Sequence, residues 1–397
     1  MSSFFSTLNE ADCCGCLGCV SVCPNSAIGV ITNRKGFLYP QIDETKCIHC
    51  GACVRFCQFS NTILPPKDKV ESYVCVLNNK YELNSSSSGG VFFAVSDYVL
   101  KNGGVVYGAV MDDDFYVRIT RADNVNERNQ MRRTKYVQGI MGDSYDKIKK
   151  DILEGKIVLF SGTPCQCLAV KQYLGESDNL ILLDFICHGV PSPQVFIDYL
   201  EYVEKITKSK VKNFYFRSKE FGHVHSQHSE ALCENGATYY MMPSADIYYK
   251  SFLANLMSRE SCYNCPFAST ERITDITMGD AWGSVAKELN SLNGISTLIV
   301  NSEKGRNIIN QIMDSMEFKQ VEIMDRLQPQ LKYPAKKPID SNIWWQKYIS
   351  KGLKGTKKIS FSPKERMINF SMESMIRICN YIHKPEIYKK FLLKFWK

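Results

Sequence analysis

Apolar residues recur along this chain in two rhythms, and the switch between them marks where elements begin and end. Short continuous apolar runs, KIVLF at 156–160 and LILLDFI at 180–186, predict strands buried on both faces. Each leads through a polar turn (SGTPCQ, then CHGVPSPQ) into helical spacing, CLAVKQYL and VFIDYLEYV. Strands alternating with helices in this way predict an α/β domain with a mostly parallel sheet, whose ligands sit beyond the carboxyl ends of its strands. Upstream, VESYVCVLN (70–78) predicts another strand, and Val91, Ala94, Val95, Tyr98 and Val99 share one face of a helix ending at 102–104. VVYGAVMD follows as a strand, and ITDITMGD supplies a short one ending at 279–280. Nearer the start, SAIGVITNRKGFLYPQID (26–43) reads as a hairpin turning at 33–36.

These elements divide 397 residues into four parts: a cysteine-rich module at 1–63, a segment at 70–155, a strand–helix segment at 156–330 and a tail at 331–397. The consecutive prolines and charges of LPPKDK (64–69) make a hinge after the first part.

Within that first part lie two runs of four cysteines: Cys13, Cys16, Cys19 and Cys23, then Cys47, Cys50, Cys53 and Cys57. Both follow C-x-x-C-x-x-C-x-x-x-C, the spacing that wraps a loop around three corners of a 4Fe–4S cube. In paired runs the fourth cysteine goes to the other cluster. One cluster is therefore expected on Cys13, Cys16, Cys19 and Cys57, and a second on Cys47, Cys50, Cys53 and Cys23. The competing reading, zinc, usually takes cysteine pairs separated by a dozen or more residues. Pro24 closes the first run as the bacterial ferredoxin pattern asks; Gln58 stands there in the second, a departure that leaves the ligands intact. The expected module is an α+β ferredoxin-like fold that handles electrons.

Composition narrows the setting. Seventeen cysteines at metal-ligand spacing in a long chain argue for a reducing cytoplasm rather than a secreted disulfide scaffold. The start shows no secretory signal, and no apolar run approaches the length of a spanning helix. Net charge is +8, yet residues 351–397 hold 12 Lys/Arg against 3 Asp/Glu, so the rest of the chain is nearly neutral. Such a tail suits either peripheral contact with the inner, anionic face of a membrane or docking on its own domain. Nucleic acid is not expected as a partner, because no recognised module accompanies the charge.

Cys165, Cys187, Cys262 and Cys265 fall at strand ends or in a C-x-x-C pair and could hold a third 4Fe–4S cluster; Cys167, two residues from Cys165, could replace it. Four serines and two glycines at 85–90 precede a helix, a seat for phosphate or carboxylate at its positive end, or else a plain linker. His223 and His225 share a strand face that could bind metal or simply be solvated. Cys14, Cys75, Cys233 and Cys379 read as packing residues.

The segments SGTPCQ, DFICHGVPSP, NFYFRSKEFG and SRESCYNCPFASTERITDITMGDAWG resemble the beta subunit family of coenzyme F-420-reducing hydrogenases and dehydrogenases. SSSSGG and RRTKYVQG (132–139) resemble that family's N-terminal half, so the likeness covers residues 70–330. It implies FAD beside a 4Fe–4S cluster, hence an α/β flavin-binding domain behind the ferredoxin-like module, with Cys165, Cys187, Cys262 and Cys265 as ligands of the third cluster. Ser87, Ser88, Gly89 and Gly90 would then seat FAD, Lys135 and Tyr136 would approach its pyrophosphate or ring, and Thr163 and Gln166 would flank the cluster loop. His188 and Lys219 are the candidate catalytic groups; Arg217 and Lys219 would contact an anionic substrate or cofactor, and Asp280 and Trp282 would close the site or serve the structure.

The expected function is an iron–sulfur flavoprotein oxidoreductase, passing electrons between its clusters, FAD and an unidentified substrate or the deazaflavin F-420. Its donor would be ferredoxin or a reduced deazaflavin, and its acceptor a small molecule or partner protein. Ferredoxin-fused members of the family resemble proteins associated with cell-surface polysaccharide synthesis. The alternative is a non-catalytic electron-transfer subunit of a larger complex.

Overall fold

The computed structural model describes residues 9–58, 71–219, 228–282, 287, 289, 291, 293–322 and 328–395. The proposed hinge at 64–69, and His223 and His225, lie outside these residues. In the cysteine-rich module, β1 (Ile28–Thr32) and β2 (Leu38–Ile42) pair antiparallel, with Ile28 opposite Ile42. The turn is built by Asn33, whose side-chain oxygen accepts from the backbone N–H groups of Lys35 and Phe37 at 3.0 Å. Two single-turn helices, Gly18–Ser21 and Ala52–Phe56, rise from the middles of the cysteine runs.

Behind the module stands an eight-stranded sheet. Its strands are β3 (Glu71–Leu77), β4 (Val105–Met111), β5 (Val117–Ala122), β6 (Val158–Gly162), β7 (Leu180–Phe185), β11 (Ile276–Asp280), β12 (Ser296–Val300) and β13 (Met316–Gln320), in the order 13-3-12-11-7-6-4-5. The centre is parallel, β11 to β7 to β6 to β4. β3 runs the same way, whereas β5, β12 and β13 oppose it. The sheet is therefore mixed, with five of eight strands pointing in one direction.

β6 is buried along its whole length and β7 up to its last residue, as their unbroken apolar runs require. The helix Pro164–Leu174 starts sharply after β6 because Thr163 and Gln166 form a capping box around its first turn and Pro164 pre-sets the backbone. The helix Val91–Lys101 begins at the same end of the sheet, so the loops after β3, β6, β7 and β11 share one edge.

A second sheet, β8 (Val211–Ser218), β9 (His228–Cys233) and β10 (Thr238–Met241), is antiparallel throughout. The helices Pro193–Thr207 and Ile247–Leu253 cover it with aromatic rings, among them Phe196, Tyr199 and Tyr248. The tail is part of this core. From the helix Ser341–Gly355, Trp344 stacks on Tyr348 at 5.5 Å and Trp345 meets Phe37 of the module edge-on at 6.0 Å. The helix Pro363–Tyr381 buries Met372, Ile376 and Cys379.

One charge sits inside the large sheet. Asp184 of β7 is fully buried, and Arg272 donates to it at 3.2 Å. Removing the cation strands a carboxylate away from water, so Arg272→Met should cost about 3–5 kcal/mol of stability. Urea unfolding should show that loss, and Asp184→Asn in the same background should recover part of it.

Candidate metal centres and the adjoining basic pocket

Cysteines of the two runs lie beside one another in the module. Burial raises the Cys19 thiol first, and Cys16, Cys13, Cys57 and Cys53 raise it further, so sulfurs from both runs crowd around it. Cys13, Cys16, Cys19 and Cys57 line one small cavity together with Phe56 and Pro40. Cys53 is likewise raised by burial and then by Cys50 and Cys23, which carries the last cysteine of the first run to the second set. Cys50 is the exposed member of that set. Cys47 lies beside His49, Sγ to Nδ1 3.8 Å.

A third group of thiols gathers at the carboxyl ends of the central strands. Cys165 opens the helix after β6, Cys187 follows β7, and Cys262 and Cys265 lie in and just beyond the turn Glu260–Asn264. Burial, then Cys262, Cys165 and Cys265, raise the Cys187 thiol. Cys262 is pushed up to about 12 by burial, with Cys265 and Cys165 adding to it. Cys265 is pushed up to about 11 by burial and then by Cys165. Cys187, Cys262 and Cys265 resist ionisation in a dry site, and the neighbouring Cys165 adds to that resistance; such a set suits a multiply charged cationic centre, which would stabilise the thiolates. Cys167 stands apart: its Sγ is 3.8 Å from the Gly162 carbonyl oxygen and it faces Asp184. Thr163 and Gln166 shape the Cys165 turn, Thr163 Oγ1 lying 3.2 Å from Cys165 Sγ and Gln166 Nε2 donating to the Gly139 carbonyl at 2.9 Å.

The first and third groups are joined by residues that sequence reasoning passed over. Gln58 Nε2 donates to Cys14 Sγ at 2.9 Å and to the Cys165 carbonyl at 3.0 Å. The departure from proline at this position thus supplies the connecting amide. Cys14 is not a packing residue. Its hydrogen bonds with Cys16 and Cys165, and then burial, hold it as a thiol, while the same bonds lower Cys16 and Cys165.

Arg259, three residues before Cys262, reaches across the same junction. It donates from Nε to the Cys13 carbonyl at 2.7 Å, from Nη2 to the Leu38 carbonyl at 3.0 Å, and from Nη1 to Gln138 Oε1 at 3.1 Å. Its Nη2 is also 3.5 Å from Cys13 Sγ, and its guanidinium lies 4.1 Å from the Tyr39 ring centre. Gly15 is required here, since its φ is +70° and a Cβ would fall 2.6 Å from Arg259 Nη1. The one legible signal was the doubled CCGC; the partners are too distant in sequence to be read locally.

On the same sheet edge the serine loop at 85–90 meets a basic pocket. Ser87 Oγ accepts from the Thr134 N–H at 2.8 Å, Ser88 Oγ donates to the Ile295 carbonyl at 2.8 Å, and the Gly89 N–H donates to Ser296 Oγ at 2.9 Å. Gly89 and Gly90 have a packing reason of their own: a Cβ would meet the Cys75 carbonyl oxygen at 2.3 Å or the Leu77 side chain at 2.1 Å. Arg132 pairs with Glu82 and donates to Ser86. Arg133 lies 4.7 Å from the Tyr215 ring centre, and Arg217 pairs with Asp280 at 2.7 Å.

Lys219 Nζ donates to the Leu83 and Asn293 carbonyls at 2.9 and 2.7 Å. Burial, then Arg217 and Arg133, push it down to about 7. Arg132, Arg133 and Arg217 outnumber Glu82 and Asp280, so the pocket is positive even where Lys219 is neutral, a fit for a phosphate-bearing ligand.

Two expectations need correction. Lys135 turns its ammonium into its own loop, donating to the carbonyls of Gln130, Met131, Arg132 and Arg133 at 2.9–3.3 Å, so its charge serves the loop rather than a pyrophosphate. Trp282 is 59% exposed and does not close the site. Tyr136 packs against Phe252 at 4.9 Å, and His188 meets the same phenyl ring at 5.0 Å while its Nδ1 lies 2.9 Å from Gln330 Nε2. Phe252 thus links the neighbourhood of the third thiol group to the pocket holding Arg217.

Residues 12–61 match the 4Fe-4S dicluster domain, and residues 155–325 match the family described as the C terminus of the coenzyme F420 hydrogenase/dehydrogenase beta subunit. An uncharacterized polyferredoxin-like protein of Methanocaldococcus jannaschii is 38% identical over 81 residues, 17% of this chain and 48% of that protein, so the chain spans about half of this curated relative. Among solved structures, a chain of the F420-reducing NiFe hydrogenase complex from Methanosarcina barkeri aligns at 16% identity with a TM-score of 0.46, covering 75% of this chain and 94% of its own.

The geometry separates the two neighbouring cysteines of the helix Pro164–Leu174. Cys165→Ala should lose about four irons per chain, and Cys167→Ala should keep them all, as anaerobic iron analysis would show. A buried cation beside Cys13 favours the reduced, more negative state of a cluster held there. Arg259→Met should lower that cluster's reduction potential by about 59 mV or more, a tenfold change in a one-electron equilibrium. Redox titration followed by electron paramagnetic resonance reads it, with the second cluster of the module as the internal reference.

Proposed function

We propose, for a chain whose residues 155–325 match the F420 hydrogenase/dehydrogenase beta-subunit family and whose residues 12–61 match a 4Fe-4S dicluster domain, an iron–sulfur flavoprotein oxidoreductase with three clusters in series. The observation that carries this reading is the junction of Gln58, Cys14 and Cys165, which ties the first ligand group to the third. Cys47, Cys50, Cys53 and Cys23 would hold the outermost cluster, Cys13, Cys16, Cys19 and Cys57 the middle one, and Cys165, Cys187, Cys262 and Cys265 the innermost. Exposure of Cys50 supports exchange with a soluble donor of the ferredoxin type at the outer end.

FAD is assigned to the basic pocket, with its phosphates toward the serine loop, Arg133 and Lys219, and its ring toward Tyr136 and Arg217. When bound it supplies the change from single electrons to hydride that a small-molecule or deazaflavin acceptor needs. The chain's own residues bind and orient: the serine loop is fixed by Thr134 and Ser296, and Arg217 is fixed by Asp280. His188, whose burial favours the neutral ring and whose Nδ1 lies beside Gln330, is the candidate proton donor on the Cys187 side of Phe252. The thiols at metal-ligand spacing support a reducing cytoplasmic setting for this reading, and a role in polysaccharide synthesis is one context for the unidentified substrate. The second reading, an electron-transfer subunit of a larger assembly, is favoured by the match to a family defined on a subunit.

Anaerobic purification should return about twelve irons and one FAD per chain. Turnover of the isolated chain with an artificial donor and a small acceptor identifies an enzyme; transfer only to a co-purifying protein identifies a relay. Arg133→Ser with Lys219→Met should weaken flavin retention about tenfold or more while leaving the irons in place. Lys219 sits near 7 without ligand, and an anion would raise it, so above that pH the bound state holds more protons than the free one. Flavin affinity should therefore fall as pH rises from about 7, and Lys219→Met should flatten the profile; fluorescence titration checks both.

A further inference from the structure

The helix Pro363–Tyr381 carries apolar residues on two opposite faces. The inner face is accounted for: Asn369, Met372, Glu373, Ile376 and Cys379 are buried against the second sheet and its helices. At 3.6 residues per turn, Met367, Phe370, Ile378 and Tyr381 share the outward face, where they are 72%, 67%, 61% and 81% exposed. Ile382 and Ile387, at 45% and 44%, carry the strip on into the following helix, Pro385–Phe395. An apolar strip this long on an outward face marks an interaction surface.

The charges around the strip are sorted by sign. Glu365 is drawn onto Lys250 at 2.6 Å. Glu373 is buried and taken up by Lys357 at 3.0 Å, Arg377 at 3.7 Å and the Tyr202 hydroxyl. Of the three acidic residues after position 350, Glu373 is buried, Glu365 is half-buried against Lys250 and Glu386 is exposed. Lys364, Lys384 and Lys390 are all exposed. The outward surface of the tail is thus apolar in its middle and cationic at its margins, the pattern of a helix lying in the plane of a lipid interface. Pairing with a second copy through this face would bring two strongly basic tails together, which like charge opposes. Among the described residues no helix is long and apolar enough to cross a membrane.

We propose that the outward face of Pro363–Tyr381, continued into Pro385–Phe395, docks the protein on an anionic bilayer, with Met367, Phe370, Ile378 and Tyr381 entering the interface and Lys364, Lys384 and Lys390 facing the headgroups. This is independent of the cluster and flavin assignments. The test is flotation of the intact, anaerobically purified chain with vesicles of phosphatidylcholine alone or mixed with phosphatidylglycerol. The expected result is binding to the mixed vesicles, weakening with salt and at least tenfold tighter than to phosphatidylcholine. Substituting Met367, Phe370, Ile378 and Tyr381 by Ser should abolish it, and Lys364→Glu with Lys384→Glu and Lys390→Glu should abolish the lipid preference. Neither set touches the buried face, and circular dichroism together with iron content checks that each variant is folded. Absence of binding to the mixed vesicles overturns the proposal. So does binding that both sets leave unchanged, or a stable dimer that does not float.

Discussion

The buried junction between the first cysteine run and the loop at Cys165 is the constraint on which the rest of the site depends. Electron transfer falls steeply with distance, so two ligand groups in separate folding units work together only if something fixes their spacing. Here the fixing is done by polar groups: the Gln58 amide on Cys14 and Cys165, and the Arg259 guanidinium on Cys13, Leu38 and Gln138. A buried cation is costly unless its donors are satisfied. Arg259 has three oxygen acceptors and an aromatic face, so its burial makes the contact specific in position. Gly15 completes the fit because any side chain there would displace the guanidinium.

The sheet supplies the second half of the arrangement. Parallel strands deliver their carboxyl ends to one edge, and in this chain Cys165 and Cys187 follow two of those ends while Asp280 closes a third. The serine loop reaches the same edge from β3 and is held down on β12 by Gly89 and Ser296. One edge therefore holds both the thiol group and the basic pocket, with Phe252 packed between His188 and Tyr136. Thiol and basic groups of unlike chemistry are brought side by side by strand direction.

What was legible in the sequence is what is encoded locally. Unbroken apolar runs gave β6 and β7, three-and-four spacing gave the helices after them, and cysteine spacing gave the ligand runs. Contacts between remote residues left no local trace: Gln58 reaches Cys165 over 107 positions and Arg259 reaches Cys13 over 246. Gln58 accordingly looked like a harmless departure and Cys14 like filler. Lys135 shows the opposite failure. Its place in a family-like segment suggested a ligand contact, but four nearby carbonyls were closer partners for an ammonium than any distant phosphate. Gly89 and Gly90 suggested a phosphate seat for a reason that is only part of the story, since β3 and β12 approach too closely there for a side chain. The antiparallel strands β5, β12 and β13 were missed because their direction is set by neighbours and not by their own pattern.

The two kinds of cation divide the molecule between them. Among the described residues the buried cations are all arginine: Arg128, Arg217, Arg259 and Arg272. Each is fixed by carboxylates, carbonyls, hydroxyls or ring faces. In the tail, ten of the twelve basic residues from 351 onward are lysine. A planar guanidinium spreads its charge over several directed donors and tolerates loss of water, whereas an ammonium is compact and strongly hydrated. Lysine at Arg259 would keep the charge but lose the fork that spans Cys13, Leu38 and Gln138, so the junction needs the geometry as much as the sign. On the bilayer proposed for the tail the need would be reversed: long flexible stems would let charge follow a surface whose anions have no fixed positions. Buried positive charge in this chain therefore demands directed donors, whereas the charge of the proposed membrane face would demand reach.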